Sequence, residues 1–266
     1  MVDFLSVKIW EGRDIPFPAA EVQEEFFERR YSIDFCKSVS SPELHFFPRK
    51  DSRDIHPALI IAPGGGYEFL SWDLEGTEIA GIFNEAGFSV FVLKYRCPDQ
   101  RDAAHADAVR AVRYVRANAA KFNIDPSRVG MMGFSAGAHL TATLCAPAEE
   151  IAYEAVDNID AFSYRPDFAA LIYPAYLADD DLKLNKEFRA SADMPPVFLC
   201  QAEDDAVRVE NSLAWFFAAK KNGVSAELHI FAEGGHGYGS RPRGLPVDKW
   251  HGECTRWMRE QAGFKD

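Results

Sequence analysis

The sequence predicts an α/β fold with a mostly parallel sheet flanked by helices, and three observations lead there. From about residue 58, short β-branched or apolar runs alternate with longer stretches of helical period, the pattern of repeated strand–helix units around a parallel sheet. With 266 residues, 47% of them apolar and 13% aromatic, the chain has material for a sizeable core. No internal repeat or low-complexity linker divides it, so residues 1–266 are expected to form a single domain.

Ser6 to Trp10 and Glu43 to Phe47 read as edge strands that precede the parallel portion. The Pro-rich tract around Pro16 and Pro18 and the Glu/Phe/Arg cluster at 21–30 give no pattern that assigns them. The parallel strands are expected at 58–62, 88–94, 129–133, 168–173, 197–202 and 226–231, and the helices at 74–86, 102–121, 136–147, 209–222 and 247–262. In 102–121, Ala108, Val112 and Val115 recur at helical spacing while Arg110, Arg113 and Arg116 fall mostly elsewhere, so this helix should cover the sheet. Trp215, Phe216 and Phe217 are expected in the core. The stretches 149–167 and 177–196 are long for connections and suggest a small cap or rim at most.

A net charge of −12, from 41 acidic and 29 basic residues, repels phosphate backbones and anionic lipid headgroups, so neither nucleic acid nor a membrane is an expected partner. The stretch Met1 to Trp10 has no basic segment followed by an apolar run, which fits a cytoplasmic protein. The five cysteines are scattered and odd in number, and are expected to be reduced core residues. Neither a cofactor nor a metal is implied: no Gly-x-Gly-x-x-Gly or Gly-Lys-Ser/Thr loop is present, and no two histidines have ligand spacing.

The strongest local motif is Gly133-Phe134-Ser135-Ala136-Gly137, directly after the strand Val129 to Met132. A strained strand-to-helix turn lifts a serine hydroxyl to the end of a sheet, and small flanking residues let backbones approach closely. Ser135 is therefore the candidate nucleophile. Pro63-Gly64-Gly65-Gly66-Tyr67 follows the strand at 58–62, and the amides of Gly65 and Gly66, with that of Ala136, are candidate donors to a developing oxyanion. The acid should follow a later strand, and 197–202 leads into Glu203-Asp204-Asp205. Counting from the strand end favours Asp205; counting back from Val209-Glu210-Asn211-Ser212 favours Asp204, and Asp205 is preferred. For the base, His236 lies in the glycine-rich loop 233–239 after the last strand. His229 and His139, within a strand and a helix, suit packing or capping. Tyr67, Phe69 and Trp72 could either stack on a sugar or aryl group or pack the rim.

Taken together these residues resemble the acetyl esterase/lipase group of α/β-hydrolases, and within it bacterial carbohydrate esterases that remove acetyl or feruloyl groups from xylan. The resemblance runs over residues 58–240 and includes Pro63 to Tyr67, Glu75-Gly76, Asp107 to Arg113, Gly133 to Leu140, Tyr173-Pro174, Asp204 to Ser212 and Gly234 to Gly239. It implies an eight-stranded sheet, Ser135 as nucleophile, Asp205 or Asp204 as acid, His236 as base, and a small-molecule or oligosaccharide ester as substrate. The chain departs from the pattern at Pro63, where related lipases usually carry histidine, and at Ala138, where the elbow often continues with glycine.

Overall fold

The computed structural model describes residues 4–18, 25–49, 54–149 and 153–264. An eight-stranded sheet is built from β1 (Leu5–Lys8), β4 (Glu43–Phe47), β5 (His56–Ala62), β7 (Ser89–Lys94), β8 (Ile124–Phe134), β9 (Ala169–Ile172), β10 (Val197–Ala202) and β11 (Ala226–Phe231), in the spatial order β1-β4-β7-β5-β8-β9-β10-β11. Both strands expected ahead of the parallel portion form, and both pair antiparallel, but only β1 is an edge strand: β4 lies between β1 and β7; every pairing from β7 to β11 is parallel. Strands covered on both faces are near-continuous apolar runs, and β5, β7, β9 and β10 are buried throughout.

Among the described residues, six helices flank this sheet: α1 (Glu78–Glu85), α2 (Arg101–Ala117), α3 (Ala119–Phe122), α4 (Ala136–Cys145), α5 (Glu210–Lys221) and α6 (Trp250–Gln261). The helix expected at 74–86 begins with one wide turn, Asp73–Thr77, in which the amide of Thr77 reaches back to the carbonyl of Trp72 at 3.0 Å. The helix expected at 102–121 breaks at Asn118 and stops at Asn123, which adopts the left-handed conformation, φ 54°.

Packing places two arginines that the apolar repeat of α2 left unassigned, and it corrects two expectations. Arg110 and Arg116 are buried, because the segment after α4 lies over α2 and supplies Asp157, Asp160 and Asp167 as partners. Those bonds run to α2 and to Arg13, so the described part of 149–167 braces α2, and none of its described hydrogen bonds reaches Ser135, Asp205 or His236. Phe217 is exposed, since only Trp215 on this stretch of α5 turns fully inward. The unassigned region also contains strands: β2 (Phe26–Arg30) and β3 (Ile33–Lys37) form a hairpin, and β6 (Leu70–Ser71) joins it as a third strand. Residues 21–24 of the Glu/Phe/Arg cluster lie outside the described residues. All five cysteines are buried and unpaired.

Asp107 on α2 ties the amino-terminal segment to the sheet. Its fully buried carboxylate accepts Trp10 Nε1 at 2.8 Å, and Arg96 Nε and Nη2 at 2.9 and 2.8 Å. Arg96 reaches on to the carbonyls of Pro16, Phe17 and Ala103. Removing one partner of a buried pair strands the other charge, so Asp107→Ala should lose about 3–5 kcal/mol of stability in denaturant unfolding. A loss below about 1 kcal/mol would show that water replaces the carboxylate.

Candidate active site

β8 ends at Phe134 and α4 begins at Ala136, which leaves Ser135 alone in the turn with φ 52° and ψ −116°. This is a strained conformation for a residue with a side chain. Two close approaches hold it. A Cβ on Gly133 would lie 2.0 Å from the Gly137 carbonyl oxygen, and one on Gly137 would lie 2.1 Å from that of Ala62 at the end of β5. The Ser135 amide donates to the Ile172 carbonyl at 3.0 Å, which fastens the turn to β9.

Three sequence-predicted residues meet there. His236 Nε2 lies 2.8 Å from Ser135 Oγ, and His236 Nδ1 lies 3.0 and 2.9 Å from the two carboxylate oxygens of Asp205. The Asp205 carboxylate is wholly buried, whereas the His236 side chain retains 28% exposure. Asp205 also accepts the Val207 amide at 2.7 Å and Gln201 Nε2 at 3.1 Å; Gln201 is itself held by the Ser212 hydroxyl at 2.7 Å. Asp204 points elsewhere. One of its oxygens accepts the amides of Gly234 and Gly235 at 2.9 and 2.7 Å, so it fastens the start of the loop that carries His236. Gly235, Gly237 and Gly239 all have φ between 53° and 70°, the left-handed region in which a side chain would strain that loop.

The glycine-rich loop lies beside the elbow, since a Cβ on Gly64 would come within 2.9 Å of Ser135 Cβ. Its carbonyls are used internally: Ser71 donates to Gly64 O at 2.9 Å, Glu68 to Gly65 O at 2.9 Å, and the Tyr95 hydroxyl to Pro63 O at 2.7 Å. Among the described residues, the amides of Gly65, Gly66 and Ala136 donate to no protein acceptor. Donors left open beside a serine hydroxyl are what an anionic oxygen needs.

The neighbouring aromatics pack the rim. Tyr67 is buried with its hydroxyl 2.7 Å from His139 Nδ1, Trp72 sets its ring edge-on to His45, and Phe69 meets Phe35. His229 stacks on Phe198. The liganding atoms of Glu227, His229 and Glu253 lie within 4.8 Å of one another, but Arg256 already supplies positive charge to Glu227. Two further buried residues with polar groups, to which the sequence assigns no role, join the site. Glu75 accepts the Gly64 amide at 2.7 Å, and Tyr173 donates to Glu75 at 2.8 Å with its ring 5.0 Å from that of His236. Their only sequence signal was a place in the motifs Glu75-Gly76 and Tyr173-Pro174.

Comparison with known proteins adds the following. The family model BD-FAE matches residues 44–171. An acetylxylan esterase of Xylanibacter ruminicola is 29% identical over 237 residues, which are 79% of this chain and 46% of that protein; the chain thus spans less than half the length of this relative. The acetyl ester-xyloside bifunctional hydrolase of Caldicellulosiruptor lactoaceticus superposes with a TM-score of 0.80 at 32% identity, over 98% of this chain and 97% of that one. An α/β hydrolase enzyme from a Medee basin deep-sea metagenome library superposes with a TM-score of 0.72 at 24% identity, over 91% of this chain and 100% of that one, which supports the fold. With 32% identity across nearly the whole of both chains, and the eight-stranded sheet and elbow described above, the chain belongs to the same α/β-hydrolase family as the Caldicellulosiruptor lactoaceticus enzyme.

Proposed function

We propose that the chain is a serine esterase that hydrolyses acetyl or feruloyl esters of xylan-type carbohydrate through an acyl-enzyme. The observation that carries this reading is the unbroken line of hydrogen bonds from Asp205 through His236 to Ser135 Oγ. Neutral His236 accepts the Ser135 proton at Nε2 as Oγ attacks the ester carbonyl. Asp205 fixes the tautomer with the proton on Nδ1 and stabilises the imidazolium that forms. The amides of Gly65, Gly66 and Ala136 receive the negative oxygen, and the start of α4 adds the positive end of its dipole. His236 then returns the proton to the departing sugar hydroxyl, which leaves the acyl group on Ser135. Water, deprotonated by the same imidazole, releases the acid and restores the serine.

The substrate class comes from likeness. An acetylxylan esterase and an acetyl ester-xyloside hydrolase are among the similar proteins, which makes acetylated xylo-oligosaccharide the first substrate to test. The informative experiment is a panel of acetyl, butyryl, octanoyl and feruloyl esters with acetylated xylo-oligosaccharide and matched amides. Short acyl esters and the acetylated sugar should be turned over and the amides left intact; faster amide cleavage would make the protein a peptidase or amidase instead. Ser135→Ala should lower ester turnover roughly a million-fold with the fold intact by circular dichroism, and activity within tenfold of wild type would end the assignment.

The two adjacent carboxylates should separate cleanly. Asp205→Asn should lower kcat by about ten-thousand-fold, as expected when the histidine is presented in the wrong tautomer. Asp204→Asn disturbs only the bonds to Gly234 and Gly235, and should cost about tenfold or less. The reverse ranking in steady-state kinetics would move the acid role to Asp204. His236→Gln should abolish most turnover, whereas His229→Gln and His139→Gln should act mainly on thermal stability.

A further inference from the structure

The carboxylate of Glu75 is a buried polar group beside the site that this mechanism leaves without a task. It sits in the wide turn Asp73–Thr77 with 4% of the residue exposed. On one side Oε2 accepts the Gly64 amide at 2.7 Å; on the other Oε1 accepts the Tyr173 hydroxyl at 2.8 Å. The Tyr173 hydroxyl in turn accepts the amide of Gly239 at 3.2 Å. Gly64 immediately precedes the proposed oxyanion donors, and Gly239 is three residues beyond His236. One carboxylate and one phenol thus join the two loops that must face each other across Ser135.

Further contacts hold the same turn to the histidine loop. A Cβ on Gly239 would lie 2.4 Å from Leu74 Cγ, and the Ser240 amide donates to the Leu74 carbonyl at 3.3 Å. Arg241 binds Asp73 at 2.7 Å and Glu78 at 2.6 Å. On the other side, a Cβ on Gly64 would lie 2.6 Å from Glu75 Oε2, so the residue at position 64 is fitted to the carboxylate. Burial pushes the Glu75 carboxyl above its ordinary range, and the Tyr173 and Gly64 donors and the nearby His236 oppose that shift. A carboxylate placed at such a desolvation cost, with both oxygens engaged, has a geometric task.

We propose that Glu75 is a positioning residue that sets the spacing between the oxyanion loop and the His236 loop, holding Gly64 directly and Gly239 through Tyr173. This rests on the esterase reading above. The strut requires two acceptor oxygens. A glutamine has one acceptor: with its oxygen on the Gly64 N–H, its amide nitrogen can only donate to the Tyr173 hydroxyl, which reverses that bond and leaves the phenolic proton without its acceptor, and the opposite orientation sets two donors against each other at Gly64. An error of about 1 Å in such spacing can cost on the order of a hundredfold in rate.

The test is kcat for an acetyl ester per active site, with sites counted by an active-site-directed fluorophosphonate, in the full chain and its Glu75→Gln, Tyr173→Phe and doubly substituted forms. Each single variant should lose about tenfold to a hundredfold in kcat per titrated site, with KM within about threefold of wild type. The double variant should fall no further than the weaker single variant, because both cut the same strut. Tyr173→Phe retains the Glu75 carboxylate, so it decides the matter alone if Glu75→Gln fails to fold. A per-site kcat within twofold of wild type in Tyr173→Phe, whatever its melting temperature or titratable fraction, would overturn the proposal and leave Glu75 a structural residue. A loss confined to KM, or losses that multiply in the double variant, would overturn it too. Failure of Ser135→Ala to remove wild-type ester turnover would overturn the esterase reading itself, and this proposal with it.

Discussion

The first turn of α4 lies so close to the end of β5 that a methyl group on Gly137 would come within 2.1 Å of the Ala62 carbonyl oxygen, and one on Gly133 within 2.0 Å of the Gly137 carbonyl. Backbone rests on backbone here. That contact fixes the tight turn at Ser135 and places the glycine-rich loop, which continues from β5, beside the serine. Helix, strand end and loop therefore share one origin, and motion in one displaces the others. Rigid elements that meet at their ends suit a site in which a few tenths of an ångström decide a hydrogen bond.

Around that origin the acidic residues divide the work by orientation. Asp205 turns inward, where the Val207 amide and Gln201 leave its remaining acceptor positions for His236. Asp204 turns outward and receives two consecutive amides of the loop that carries the imidazole. Glu75 lies between the glycine-rich loop and the loop that carries His236. Each carboxylate has its donors, as a buried or half-buried anion requires.

What could be read in the sequence were the features for which the backbone dictates residue type. Gly133, Ser135 and Gly137 declare themselves because close approach and positive φ admit few side chains. The parallel strands show as apolar runs because both their faces are covered. Asp204 and Asp205 were harder to tell apart, since counting along the chain does not say which way a turn faces each of two neighbours. Glu75 and Tyr173 were hidden for a different reason: they are 98 residues apart and gain meaning only when the sheet brings them together. The arginines of α2 fall mostly off its apolar repeat, and the repeat gives no sign that a later segment covers them. The β2–β3 hairpin escaped notice because its turn, Tyr31-Ser32, takes left-handed φ values without glycine or asparagine, and Phe26 and Phe27 remain half exposed.

The five unpaired cysteines are spread through the molecule: Cys36 in the small sheet, Cys97 after β7, Cys145 at the end of α4, Cys200 in β10 and Cys254 in α6. Burial pushes the thiols of Cys36, Cys97, Cys145 and Cys200 up to about 12, and that of Cys254 well upward too. A thiol held in that state offers almost no thiolate to an electrophile while its surroundings stay closed. Alkylation at each position therefore measures how often that neighbourhood opens, and the chain carries native reporters of local breathing in its small sheet, after β7, in its elbow helix, in β10 and in its last helix.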